Sequence, residues 1–244
     1  MSMKQTAFGV YLVLAAALAA PVPGRAAAVA SHCSNPGRAR AADTSNPLTA
    51  RFLKAIQRKG VTTIARYYDY PDETLPGKTL TLAERDLVAA RGMSLLVVFQ
   101  HHNDQLASFT PERGAADAAR ALELAAKLRQ PKGSAVYFGV DGSWSSTVDQ
   151  AKVLAYFRAA NTRLAGSGYR VGVYGSGLTC QEIVAASQAS LCWLANPRSW
   201  PGHDAAVASG AWAIRQGGQT MCGGLYVDFD RLNAALPDVG QFKP

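Results

Sequence analysis

From residue 39 onward, short apolar runs alternate with amphipathic stretches. The runs are Ala39–Thr44, Val61–Tyr68, Met93–Gln100, Ser134–Asp141, Tyr169–Tyr174, Leu191–Ala195, Ala211–Gln216 and Leu225–Asp230. Most are near-continuous in apolar residues. That is the pattern of strands covered on both faces, as in a parallel sheet. Between the first two runs, Phe52, Leu53 and Ile56 share one face of a helix over Pro47–Lys59, which Gly60 ends. Thr79–Arg91 places Thr81 and Glu84 at capping-box spacing and stops at Gly92. Pro111–Arg129, Thr147–Leu164 and Leu178–Ala186 read as further helices, and His203–Ala208 as a stunted one. Eight strand units separated mainly by helices predict an α/β fold, a compact TIM-like (β/α)8 barrel. The rival is a doubly wound open sheet, which carries a glycine-rich phosphate loop after its first strand. Here the first strand runs into Asp43-Thr44-Ser45-Asn46-Pro47, and no Walker sequence or Gly-x-Gly-x-x-Gly follows. Nucleotide binding is unsupported, and no cofactor is expected.

The start of the chain has a different pattern. Lys4 precedes the apolar run Phe8–Ala20, Pro21 to Gly24 breaks it, and Ala28-Val29-Ala30 fits a small-x-small cleavage site. Residues 1–30 are read as a signal peptide, 31–39 as a lead-in segment and 40–244 as the barrel domain. The apolar run is short for a membrane span, so no stable span is expected after processing. The location expected is periplasmic or extracellular. Four cysteines behind such a segment suggest two disulfides. Of three connectivities the favoured one pairs Cys180 with Cys192 and Cys33 with Cys222. Removing Lys4 and Arg25 with the leader lowers the formal charge from +8 to +6. The basic residues are scattered over helices rather than gathered in a stripe, so nucleic acid is not the expected partner. A monomer is expected.

Polar residues recur where the strands end. Asp43, Arg66, Gln100, Asp141, Tyr174, Gln216 and Asp228 all fall at or near such ends, and in a parallel barrel these ends share one mouth. Asp43, Asp141 and Asp228 are the carboxylates best placed for acid–base work on a glycosidic bond. Asp230 shares the parity of Asp228 and is expected one layer nearer the rim. Arg66 and Gln216 offer donors and acceptors to sugar hydroxyls. Tyr68, Tyr70, Trp144 and Trp200 are the aromatic groove candidates, ahead of Tyr67, Trp193 and Trp212. His101 and His102 are adjacent and diverge if extended, and no His-Glu-x-x-His occurs, so no metal site is expected.

The pieces Asp43-Thr44-Ser45, Ala65-Arg66-Tyr67-Tyr68, Leu82-x-Glu84, Tyr137-Phe138-x-Val140-Asp141, Gly172-Val173-Tyr174-Gly175-Ser176, Trp212-x-Ile214-x-Gln216 and Val227-Asp228-Phe229-Asp230 are spread over residues 40–236. In this order they resemble the bacterial glycoside hydrolase-like domain of secreted, envelope-linked proteins. That family is distantly similar to the Chalaropsis-type barrel lysozymes. The resemblance implies an envelope polysaccharide or peptidoglycan as partner, and hydrolysis of it as activity. The alternative is a non-catalytic wall-binding domain on the same scaffold. It also implies carboxylates at Asp43, Asp141 and Asp228. The lysozymes' strand-four glutamate falls at Ser143, which is no proton donor. Asp141 is then the expected principal acid or base, and Glu84 is a substitute acid if its helix start reaches the cleft.

Overall fold

A computed structural model describes Cys33, residues 37–71 and residues 75–244; the expected signal peptide lies outside the described residues. In chain order the elements are β1 (Ala41–Asp43), α1 (Ala50–Gln57), β2 (Thr63–Tyr68), α2 (Leu82–Ala89), β3 (Ser94–Phe99), a 3-10 turn (Leu106–Ser108), α3 (Pro111–Lys127), β4 (Ala135–Gly139), α4 (Thr147–Leu164), β5 (Arg170–Gly175), α5 (Gly177–Ala185), β6 (Leu191–Leu194), α6 (His203–Ser209), β7 (Ile214–Cys222) and β8 (Leu225–Leu232). The strands close into a barrel in sequence order. Among the described residues no helix is long and apolar enough to cross a membrane.

The closed eight-stranded barrel expected from the sequence is present, but the eight parallel βα units of a TIM-like (β/α)8 barrel are not. Six helices flank the strands of the described chain, and β8 runs antiparallel to both β7 and β1. The cause is local. Cys222 and Leu225 pair across Gly223-Gly224, whose φ values are +60° and +91°. Two successive residues at positive φ make the tight turn whose twist matches an antiparallel hairpin. A parallel return needs a crossover of a dozen or more residues. β7 therefore climbs past the barrel rim, and β8 enters from above and descends.

Parity sorts the strand residues into two cores. Ala65, Leu96, Val98, Ala135, Tyr137, Trp193 and Ile214 fill the barrel interior. Ile64, Tyr68, Val97, Phe99, Phe138 and Val173 face outward and pack with helix residues such as Phe52, Ile56, Ala121 and Phe157. Inside, Tyr137 lies so close to β5 that a Cβ on Gly172 would sit 2.5 Å from its ring. Below Tyr137 the C-terminal segment closes the floor. Tyr137 donates to the Val239 carbonyl at 2.7 Å, and Phe242 pairs with Leu95. The helix starts follow sequence capping chemistry. Thr49, Thr81, Thr110, Ser146 and Ser176 each accept from the first turn that they precede, and Thr81 with Glu84 forms the expected capping box. Cys180 is bonded to Cys192 and Cys33 to Cys222, the two pairings favoured above.

Candidate active site at the barrel mouth

With the floor closed, the barrel interior opens upward, and a cavity of about 320 Å³ lies at the mouth. Its polar walls are Gln100, Asp141, Asn196, Gln216, Gln219 and Asp228, and its aromatic walls are Tyr67, Tyr174 and Trp193. All three aromatics project inward from β2, β5 and β6, on the parity of the inner core.

Behind one wall three carboxyls crowd together. Asp43, at the end of β1, is buried, and it pairs in register with Asp228 of β8. Tyr67 donates to Asp43 Oδ1 at 3.0 Å and Gln216 Nε2 to Oδ2 at 3.2 Å. Gln216 is fixed in turn by Tyr174, whose hydroxyl donates to Oε1 at 2.9 Å. Burial pushes the Asp43 carboxyl up to about 6, against the pull of those two hydrogen bonds. Asp228 is half-buried and opens on the cavity. Burial, and then the charge of Asp43, pushes it up to about 7. Asp230 is fully buried, and its carboxyl oxygens have no hydrogen-bond partner of ordinary geometry. Burial and its two carboxyl neighbours hold it well above the carboxylate range. It lies one layer deeper than Asp228, opposite Ala41 and Gln216, not nearer the rim. The expected order is inverted because β8 descends.

Asp141 follows β4 on a different stretch of the cavity wall. Gln100 Nε2 donates to its Oδ2 at 3.2 Å, and the Gln100 carbonyl accepts from Lys78 Nζ at 2.7 Å. Lys78 is paired with buried Asp69 at 2.9 Å, and Asp69 also meets His101 Nδ1 at 2.7 Å. Burial raises the Asp141 carboxyl first and the charge of Asp104 adds to it, while Gln100 and Lys78 pull the other way. Ser143 is exposed on the loop beyond. Among the described residues no three His, Cys, Asp or Glu side chains are arranged to hold a metal ion.

Four sequence expectations are corrected in position. Arg66 is fully buried on the outward face of β2, away from the cavity. It donates to Glu84 Oε1 at 3.0 Å, to the Thr44 carbonyl at 2.7 Å and to the Gly77 carbonyl at 2.9 Å. Glu84 is consumed by the same pair, and by the Leu48 and Thr81 amides, so it is no substitute acid. Tyr68 shares the outward parity of Arg66, and its hydroxyl donates to Gln130. Trp144 packs edge-on to Phe109 outside the cavity. Tyr67 and Trp193, ranked second among the aromatic candidates, line the cavity, and so does Gln219, which was not a candidate. Alternation along β2 makes Tyr67 and Tyr68 mutually exclusive as liners. The inner Ala65 next to the bulky Arg66 carried the signal that 65 and 67 face in. Gln219 was hidden by a bulge between Gln216 and Gln219 that lengthens β7.

The model of the Rv2525c-like, glycoside hydrolase-like domain family matches residues 54–230. The chain belongs to this family. Its barrel superposes on the Tat-secreted protein Rv2525c of Mycobacterium tuberculosis, solved in complex with L-tartrate, with a TM-score of 0.69 at 20% identity, over 84% of this chain and 99% of that one. The modular autolysin LytC of Streptococcus pneumoniae, solved with a synthetic peptidoglycan ligand, shares the fold more distantly. Its TM-score is 0.53 at 14% identity, over 79% of this chain and 46% of that one. The Bacillus subtilis (strain 168) protein YbfG is 26% identical over 168 residues, 65% of this chain and 23% of YbfG. The chain thus spans less than a quarter of that curated relative.

Proposed function

We propose that this family member acts on a glycan of the bacterial cell envelope, with peptidoglycan as the first substrate to test. In this reading it cleaves a glycosidic bond with Asp228 as proton donor and Asp141 as the opposing carboxylate. One observation carries the reading. Asp228 and Asp141 line the same cavity, and Asp228 combines that access with a carboxyl raised to about 7. A general acid works best with a pKa near the ambient pH. Asp228 thus takes the part for which Ser143 is unfit, and Asp141 gives up the leading role that the motifs assigned to it. Asp43 acts from behind: its charge keeps the proton on Asp228, and Tyr67 and Gln216 hold it in place. The proton on Asp228 passes to the leaving oxygen, while Asp141 attacks the anomeric carbon or activates a water. Gln219 and Asn196 offer amide donors and acceptors to sugar hydroxyls.

Export belongs to the same proposal. Residues 1–30 are removed, and residues 31–244 reside in the periplasm or outside the cell. Two disulfides and the Tat-secreted relative support this. A second reading, binding without cleavage, draws on Ser143 alone.

The test incubates protein lacking residues 1–30 with peptidoglycan and a panel of envelope glycans, beside Asp228→Asn and Asp141→Asn, and reads products by mass spectrometry. New reducing ends from the parent and from neither variant support hydrolysis. Glycan retention by all three without products leaves the binding domain.

A further inference from the structure

The β7–β8 ribbon above the rim has two unlike faces. Register pairs Gln219 with Asp228, Thr220 with Val227, Met221 with Tyr226 and Cys222 with Leu225. Alternation puts Cys222 and Val227 on the back face, and both are buried. That face packs on α1, where a Cβ on Gly223 would sit 2.8 Å from Phe52 Cα. The front face carries the other two pairs. Gln219 and Asp228 line the cavity. Met221 and Tyr226 stand one pair higher and are 37% and 56% exposed.

The front face therefore rises without a break from the acid to an exposed thioether and an exposed phenol ring. Its position is fixed at several points. Thr44 donates to the Tyr226 carbonyl at 2.7 Å, Cys222 is tied to Cys33, and the tight Gly223-Gly224 turn closes the tip. An exposed aromatic–methionine pair on a rigid ribbon beside a polar cavity offers the flat apolar area on which a sugar ring stacks. Two residues along an extended strand advance about 7 Å, on the order of one sugar along a β-linked glycan.

We propose that Tyr226 and Met221 form a saccharide subsite outside the cavity, so that the site takes a glycan strand rather than a mono- or disaccharide. This rests on the glycan reading above and deepens it. A strand seated beside Asp228 runs out along the ribbon and stacks its next ring on Tyr226.

The test measures binding of soluble peptidoglycan glycan strands by calorimetry, a disaccharide against an octasaccharide, with Asp228→Asn throughout so that the strands stay intact. The background protein should bind the octasaccharide about three- to tenfold more tightly than the disaccharide. Adding Tyr226→Ala should remove that gain and leave disaccharide binding and the melting temperature unchanged. Tyr226→Phe should restore it, since the ring and not the hydroxyl does the stacking. A length gain that survives Tyr226→Ala, or no length gain at all, overturns the subsite while glycan binding stands. No binding of either strand removes the glycan reading, and the subsite with it.

Discussion

Arg66 offers the sharpest separation between a ligand-binding role and a scaffold role. Substituting Met keeps most of the volume and removes the guanidinium. The loss can be worked from its contacts. Glu84, with its side chain only 6% exposed, loses the cation 2.8 Å away, and the carbonyls of Thr44 and Gly77 lose their donors. Breaking a buried pair from one side leaves an uncompensated charge, which costs about 3–5 kcal/mol. Arg66→Met should lose about that much in urea denaturation, as a lower midpoint at unchanged slope. Adding Glu84→Gln removes the stranded charge, and Gln can still serve the capping box. The double variant should recover part of the loss, with a coupling energy on the order of 2 kcal/mol. Glycan binding by folded Arg66→Met, measured well below its midpoint, should match the parent. A variant that stays within about 1 kcal/mol of the parent, a surface-like effect, yet loses glycan binding would refute the scaffold assignment.

Three further outcomes follow from the same geometry. The mouth carboxyls have raised values when folded, so the folded state keeps protons that the unfolded chain releases near 3.8. Their stabilising contribution is complete below that pH and is lost as pH rises through about 6 to 7. For buried Asp43 the rise from 3.8 to about 6 corresponds to about 3 kcal/mol. Denaturation midpoints should therefore fall between pH 4 and 7, and Asp43→Asn should flatten the fall; an unchanged pH dependence in the variant contradicts it. Replacing Cys180 and Cys192 with Ser opens a loop with a sequence separation of 12 and should cost about 3 kcal/mol, read by denaturation under oxidising conditions. Gly172→Ala places a Cβ against the Tyr137 ring and should cost about 1–3 kcal/mol of stability by thermal melting; a neutral result would show that Tyr137 shifts freely.

The barrel was legible because its strands are apolar runs and its helices begin at strong caps. Thr81 with Glu84 and Thr110 before Pro111 mark helix starts that the structure keeps. The antiparallel return was legible too, in Cys222-Gly223-Gly224-Leu225, since a Gly-Gly pair between two apolar runs signals a hairpin. The regular alternation of strands and helices before β7 masks it, and the inverted depth of Asp228 and Asp230 follows from the antiparallel β8. The site was partly legible. Asp43, Asp141, Asp228, Gln100, Tyr174 and Gln216 do converge on the mouth or directly behind it. Arg66 and Tyr68 do not, because a strand end supplies only alternate residues to the interior. Chemical type favoured Arg66, but parity favoured Tyr67. Position along the chain also could not reveal that Glu84 is held by Arg66, since that pair joins a strand to the helix start packed outside it.

Hydrolysis by this site requires that Asp228 hold a proton near neutral pH. NMR titration of carboxyl carbons labelled in aspartate, with the Asp228 signal assigned by its loss in Asp228→Asn, measures this directly. The expected midpoint for Asp228 lies near 7 and falls when Asp43→Asn removes the neighbouring charge. A midpoint near the ordinary 3.8, unmoved by that substitution, would contradict it.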